Sequence, residues 1–265
     1  MDQQKLSVSQ FGSRADAYLT SSVHAQGADL DRLRVLTERV RPSRVLDLGC
    51  GAGHASFAMA RGDAGRITAF DPSAEMLAVV AREAAARGHG SLDTQIGSAE
   101  NLPFADRTFE IVVTRYSAHH WAHVPRALME CARVLKPGGR AVVIDVIAPE
   151  DQVLDTPLQV IEFLRDRSHV RNYRISEWSS MLRAAGFETP SVDSWRLPLE
   201  FSSWVARIGT SAARIAALEA VFADLGDEAR RYLQVTADLS FAIEAAWMEA
   251  GAAQQPVAAA SLLSV

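Results

Sequence analysis

The chain has 265 residues, 48% hydrophobic and 22% charged, an ordinary globular balance that argues against extensive disorder. Its 27 Lys and Arg against 32 Asp and Glu leave a net charge of −5, which argues against general nucleic-acid binding, because phosphate binding needs a basic surface. No apolar run approaches the ~18 residues of a membrane span, and two cysteines, Cys50 and Cys131, provide neither a disulfide framework nor a four-cysteine zinc site.

Residues 1–26 carry no long apolar run, and the polar start lacks the apolar segment of a signal peptide. Leu30, Leu33, Leu36 and Val40 recur at helical spacing, with Asp29 as candidate N-cap and Pro42 as the stop. Residues 45–48 read as a short buried strand and 49–53 as a tight turn into a helix over about 54–61. A second strand covers 67–71, and Ser73 caps a helix that runs to about Arg87 and ends at Gly88. A weaker third strand spans 92–96 and a fourth 109–114, followed by a loop and a helix over about 123–134. Residues 136–139 form a turn before a fifth strand, 141–146, apolar on both faces. Strands and helices alternating at this pitch imply a parallel sheet covered on both sides.

Beyond Ala148 the pattern changes. Residues 150–185 read as helical, with Gly186 as the end, then 192–201 and 240–247 as strands flanking an Ala-rich helical stretch at 204–235. The tail, 251–265, is Ala-, Gln- and Ser-rich and expected to fray. No linker marks a second domain, so one α/β domain with helical additions is expected over 1–265.

The most informative segment is VLDLGCGAG at 45–53. Glycines let backbone approach a ligand closely, and the amides of the next helix favour a negative group. Ligands of open parallel sheets bind beyond the carboxyl ends of the strands. Asp71, ending the second strand, is placed to accept hydrogen bonds from ribose hydroxyls. The spacing is Gly-x-Gly-x-Gly with His54 next, not the dinucleotide Gly-x-Gly-x-x-Gly. Asp47, just before the turn, would meet a pyrophosphate badly and suits the α-ammonium of a methionine moiety.

Segment 45–53 resembles the first motif of class I S-adenosylmethionine-dependent methyltransferases. FDPSAEML (70–77), GSAENLPF (97–104), FEIVVT (109–114) and RVLKPGG (133–139) resemble further motifs in the same order. The resemblance covers roughly 40–147, the cofactor-binding core, and is nearest to the small-molecule methyltransferases of ubiquinone and menaquinone biosynthesis. It implies a doubly wound, mostly parallel seven-stranded Rossmann-like sheet, order 3-2-1-4-5-7-6 with the last strand antiparallel, under a helical cap. It also implies S-adenosyl-L-methionine as cofactor and residue roles to match. Asp47 would bind the methionine amine; Gly49, Gly51 and Gly53 would make room for the methionine and ribose. Asp71 would hold the ribose, while Pro72 and Met76 pack on adenine and Ala99 offers its amide. Ser98 departs from the Asp of many relatives and accepts more weakly. Arg115 and Tyr18 complete the cofactor set, Tyr18 resembling a residue that covers the cofactor in close relatives. For Met76 and Cys50, plain core packing is the competing reading.

The resemblance leaves two variable regions over the cofactor: an N-terminal lid segment, 1–28, and a cap insertion, 148–185. The first offers Phe11, Arg14, Tyr18 and His24; the second Arg167, His169, Arg171 and Tyr173. His24, His169, Arg171 and Tyr173 are the candidate substrate-binding residues, Arg171 because a guanidinium forks onto a carboxylate. Against this stand a surface helix packing Phe11 and Tyr18, and a solvated Arg171. Val160, Ile161, Phe163 and Leu164 either line a pocket or pack the cap.

SAHHWAH at 117–123 follows the fourth strand, where the transferable methyl group lies in the family. His119 is the candidate catalytic base, with an ordinary pKa of about 6.5, and His120 is expected to face packing. His119 and His123 also have i, i+4 metal-ligand spacing, but with His rather than Glu at 120 no metal site is assigned. The expected function is methyl transfer to the O, N or C atom of a small molecule in the cytoplasm, with no nucleic-acid or membrane partner and a homodimer left open. Alternatives are an NAD(P)-dependent oxidoreductase and a non-catalytic S-adenosylmethionine-binding protein. A Tyr-x-x-x-Lys pair would favour the oxidoreductase, but Lys5 and Lys136 are the only lysines and neither follows a Tyr at that spacing.

Overall fold

The computed structural model describes residues 2–12 and 27–253. Helix α1 (Gln3–Phe11) stands apart from α2 (Ala28–Val40), after which strands and helices alternate: β1 (Arg44–Leu48), α3 (His54–Ala60), β2 (Arg66–Asp71), α4 (Ala74–Ala86) and β3 (Leu92–Ile96). Then come β4 (Phe109–Arg115), a 3-10 turn (Ala118–His120), α5 (Val124–Val134), β5 (Leu135–Ala148) and α6 (Gln152–Arg165). The chain continues with β6 (Tyr173–Arg174), α7 (Ile175–Ala184), β7 (Ser191–Leu199), α8 (Phe201–Ile208), α9 (Ala212–Asp224), α10 (Asp227–Leu233) and β8 (Phe241–Gly251).

The sheet runs β3-β2-β1-β4-β5-β8-β7, with β6 paired to β5 off this path. Strands β1 to β5 pair in parallel, and β8 is antiparallel to both β5 and β7. This is the predicted seven-stranded order, with the last two strands renumbered by the short β6. Burial explains the central strands. Val45, Leu46 and Leu48 of β1 are fully buried and contribute to apolar clusters on opposite faces of the sheet: Leu46 and Leu48 with Phe70 and Trp178, Val45 with Phe57 and Ile67. A third cluster, holding Leu158, Trp204, Leu218, Phe222 and Phe241, joins α6, α8, α9 and α10 to the antiparallel pair β7 and β8.

Local signals behave as chemistry dictates. Ser73 accepts from the Met76 amide at 3.2 Å and starts α4, and Gly88 follows α4 at φ +72°. Four readings change. Asp29 is not a cap: Gly27 holds the N-cap position, and buried Asp29 pairs with Arg115 of β4 at 2.5 Å. Burial of two opposite charges makes that tertiary pairing outweigh a local capping bond. Residues 136–139 do not precede β5 but bulge within it, since Phe109 pairs with Leu135 and Ile111 with Arg140. The helical stretch at 150–185 is split by β6, whose Tyr173 and Arg174 pair with Ile147 and Ala148. The start of the tail expected to fray is held in place: the Ala252 amide reaches the Gly139 carbonyl and the Ala253 amide the Gly186 carbonyl, each at 2.9 Å. Residues 254–265 lie outside the described residues.

Candidate functional site

A cavity of about 440 Å³ opens at the carboxyl ends of β1, β2 and β4, with α1 over it. One half is built by the glycine turn. The Gly49 and Cys50 amides both donate to the Phe70 carbonyl, at 2.8 and 3.1 Å, which ties the turn to β2. Gly49 has φ +70°, and a Cβ there would sit 2.0 Å from Ser117 Oγ. Gly51 has φ +50° but meets nothing within 4 Å where its Cβ would be; its amide donates to Asp71 Oδ2 at 2.9 Å. Gly53 is the N-cap of α3.

Asp47 is buried at the turn. Its Oδ2 accepts from the Ser56 hydroxyl at 2.5 Å, and its Oδ1 has no partner among the described residues. Burial pushes its carboxyl up to about 6 against the lowering effect of Ser56. Burial also raises Asp71 to about 6, opposed by the amides of Ser73 and Gly51. Pro72, Met76, Ser98, Ala99 and Arg115 line the same cavity. Met76 also packs with Ala52, Val79 and Phe11, as the core-packing reading expects. The Ser98 hydroxyl donates to Glu100. Cys50 is a buried free thiol that burial and two nearby carboxylates hold in its neutral form.

The other half surrounds His119. Its amide donates to Asp145 Oδ2 at 3.2 Å, and its Nδ1 lies 2.6 Å from Asp145 Oδ1. Burial works against the imidazolium, but the charge of Asp145 and its hydrogen bond prevail and raise the pKa above 6.5. With Nδ1 engaged, Nε2 is the nitrogen left for other work. His120 packs its ring 4.9 Å from Phe11 and sets Nδ1 3.2 Å from the Ser168 carbonyl. Burial and His119 lower it to about 4. His120 nonetheless lines the cavity as well. His119 sits in the 3-10 turn and His123 at the N-cap of α5. They therefore do not share a helical face, and the metal-ligand spacing has no structural counterpart.

The structure corrects the substrate-side expectations. His169, Arg171 and Tyr173 do not line the cavity. His169 Nε2 lies 3.1 Å from Gln159 Oε1, Arg171 pairs with Asp155 at 2.8 Å, and the Tyr173 ring packs against Trp178. The β6–β5 pairing carries this segment to the sheet, where residues of α6 and α7 hold it. Arg167, exposed, reaches Ser9 Oγ at 3.4 Å. Ile161 is core, whereas Val160 and Phe163 are exposed, so neither lines the site. Arg14, Tyr18 and His24 lie outside the described residues.

The cavity has walls that the sequence reading missed: Tyr116, Glu162, Arg165, Leu197, Leu199 and Ile243. Glu162 is 5% exposed, and a signal for it existed. Leu158, Ile161, Glu162 and Arg165 recur at i, i+3, i+4, i+7, so a carboxylate falls on the inward face of α6.

A sheet in this order, with a glycine turn after its first strand and an acid ending its second, defines a Rossmann-like transferase of the methyltransferase type. A methyltransferase domain model matches residues 46–143. The chain is 45% identical to YafE of Escherichia coli over 190 residues, 72% of this chain and 91% of YafE. It is 38% identical to the methyltransferase YcgJ of Bacillus subtilis over 226 residues, 85% of this chain and 89% of YcgJ. The YcgJ crystal structure superposes with a TM-score of 0.80, covering 84% of this chain and 99% of that one. The ubiquinone/menaquinone biosynthesis C-methyltransferase UbiE of Rubrivivax gelatinosus is 41% identical over 105 residues, 40% of each chain. The chain belongs to the class I S-adenosylmethionine-dependent methyltransferases, and the oxidoreductase alternative falls. Among the described residues, no helix is long and apolar enough to cross a membrane.

Proposed function

We propose that this chain binds S-adenosyl-L-methionine in the glycine-turn half of the cavity and methylates a small molecule held in the His119 half by in-line displacement. The observation that carries the reading is the buried, unpartnered Oδ1 of Asp47 beside the glycine turn. A buried carboxylate oxygen without a donor costs free energy, and the α-ammonium of the cofactor supplies one. Asp71 spends one lone pair of each oxygen on an amide, leaving acceptor capacity for ribose hydroxyls. Gly51 leaves space where a side chain would stand, Pro72 and Met76 flank adenine, and Ala99 presents its amide. Ser98 and Arg115 close the rim.

When bound, the sulfonium supplies an already activated methyl group. The protein must align the acceptor, exclude water and, where the acceptor carries a proton, remove it. His119 Nε2 is the group for the proton, with Asp145 fixing the ring. The likeness to the quinone-pathway enzyme spans 40% of each chain, which supports a small-molecule acceptor without naming one.

The direct test is thermal shift with S-adenosylmethionine, S-adenosylhomocysteine, NAD and NADP. The first two should stabilise by ~2.7 kcal/mol at 100 times their dissociation constant; stabilisation by NAD or NADP alone refutes the reading.

Asp47→Asn should weaken S-adenosylmethionine more than adenosine, which lacks the amine. Equal losses would make Asp47 a holder of the turn. A pH effect accompanies it. With its carboxyl raised from 3.8 to about 6, the folded ligand-free protein holds a proton that the unfolded chain has released. This contribution to stability is therefore full below 3.8 and lost as pH rises through about 6. Asp47→Asn should flatten that part of the stability–pH curve.

Helix α1 lies in the segment 1–28 expected to act as a lid. Helix α1 contains no buried residue. It is held by Gln3 Nε2 on the His120 and Ser168 carbonyls, at 3.2 and 2.5 Å, and by Gln10 Nε2 on the Ile208 carbonyl at 3.2 Å. Its amides should exchange fast without ligand and gain protection with S-adenosylhomocysteine. Slow exchange in both states would make α1 a fixed wall. Fully buried Leu158 and Ile161 anchor α6, so lid motion is expected of α1 rather than the cap.

A further inference from the structure

We infer that Glu162 is the recognition residue for the methyl acceptor, taking a hydrogen bond from an O–H or N–H donor carried on a largely apolar body. This deepens the proposed function and rests on it for the identity of the cavity's other half. Glu162 is 5% exposed yet lines the cavity, and its Oε1 is buried without a partner. Among the described residues, none donates to this oxygen. Burial raises the pKa of Glu162, the like charges of Asp166 and Asp145 add to the rise, and Arg165 and His119 oppose it. Arg165 is turned to Trp204, donating from Nε to the Trp204 carbonyl at 3.2 Å and lying 5.0 Å from the Trp204 ring centroid. It forms no ion pair with Glu162. A carboxylate buried in this way is destabilising to the free protein, and a site group is the usual place to find one.

The surrounding wall defines the rest of the acceptor. Val146, Leu197, Leu199 and Ile243 are apolar, and Tyr116 adds a ring. Tyr116 is held at φ +50°, a left-handed backbone that a bulky residue rarely adopts. An apolar body against this wall, with its donor on Glu162 and its nucleophilic atom toward His119, satisfies the open polar group and buries apolar surface together. The donor is either a hydroxyl or an ammonium, and charge separates the two.

The experiment has two readouts. The first is ligand-free melting. Glu162→Gln and Glu162→Leu should each raise Tm by ~2–4 °C, since an unpartnered buried charge is removed. A lowered Tm in both would make Glu162 structural and overturn the inference. The second is NMR titration of 3-phenylpropan-1-ol, 3-phenylpropylamine and propylbenzene, with and without S-adenosylhomocysteine. Wild type should bind the alcohol or the amine at least tenfold more tightly than propylbenzene. Glu162→Leu should erase the advantage of either. Glu162→Gln should erase it for the amine and keep it for the alcohol, because the amide oxygen still accepts. No donor preference in wild type, or a preference intact in Glu162→Leu, overturns the inference. Failure of S-adenosylhomocysteine to raise Tm would instead sink the methyl-transfer reading, and the probe preference is read without it.

Discussion

Replacing His119 with Ala is expected to cut turnover by ~10²–10⁴-fold while S-adenosylhomocysteine affinity stays near wild type. His119 follows β4 in a 3-10 turn, lines the cavity, and has Nδ1 fixed 2.6 Å from Asp145 Oδ1. That contact selects the tautomer whose Nε2 is unprotonated and free to accept a proton. Asp145 also raises the ring's pKa above 6.5. A base works only in its neutral form, so wild-type turnover should fall as pH drops through that raised value. Asp145→Asn removes the raising charge and leaves the burial, so the acid limb should move to lower pH. It should also slow turnover, because the amide no longer enforces the tautomer. In His119→Ala the limb should disappear. If His119 only orients the acceptor, the variant would raise KM and keep the acid limb. Wild-type turnover at saturating acceptor would end the base assignment.

The two halves of the cavity differ in how far the sequence exposes them. The glycine-turn half is written in short local segments: a glycine turn, an acid at the end of β2, Ser73 as a cap. Each specifies backbone over a few residues, and parallel pairing of β1, β2 and β4 then brings the segments together. The opposite half is assembled from α6, β7 and β8, which are far apart in the chain. Glu162 joins Leu197 and Ile243 only through tertiary packing. Polar residues in the 148–185 insertion look like site residues because nothing local in the sequence shows their structural partners. Two residues of β6, too short to show any period, carry His169, Arg171 and Tyr173 into a structural network instead. Asp29 teaches the same lesson: its position before a helical pattern reads as a cap, and a buried Arg115 from β4 outbids the local amide.

Asp71→Ala should weaken S-adenosylmethionine binding by ~1.5–3 kcal/mol, or roughly 10- to 150-fold, through loss of charge-assisted hydrogen bonds to ribose. The structure adds a second consequence. Asp71 holds the Gly51 amide through Oδ2 and the Ser73 amide through Oδ1, both at 2.9 Å. Truncation therefore frees the glycine turn as well as the ribose, and the two losses must be separated. Asp71→Asn keeps one carbonyl acceptor and removes the charge, so it should hold part of the turn and still bind more weakly. An analogue of the cofactor without ribose hydroxyls makes the cycle complete. Wild type should bind that analogue less well than S-adenosylmethionine, while Asp71→Ala should treat the two nearly alike. Removing a carboxylate that burial has pushed to about 6 relieves a desolvation cost, which offsets part of the lost amide bonds and keeps the variant folded. Calorimetry on the folded variant decides the matter. If it discriminates between the two ligands as strongly as wild type does, Asp71 braces the turn and the ribose is held elsewhere.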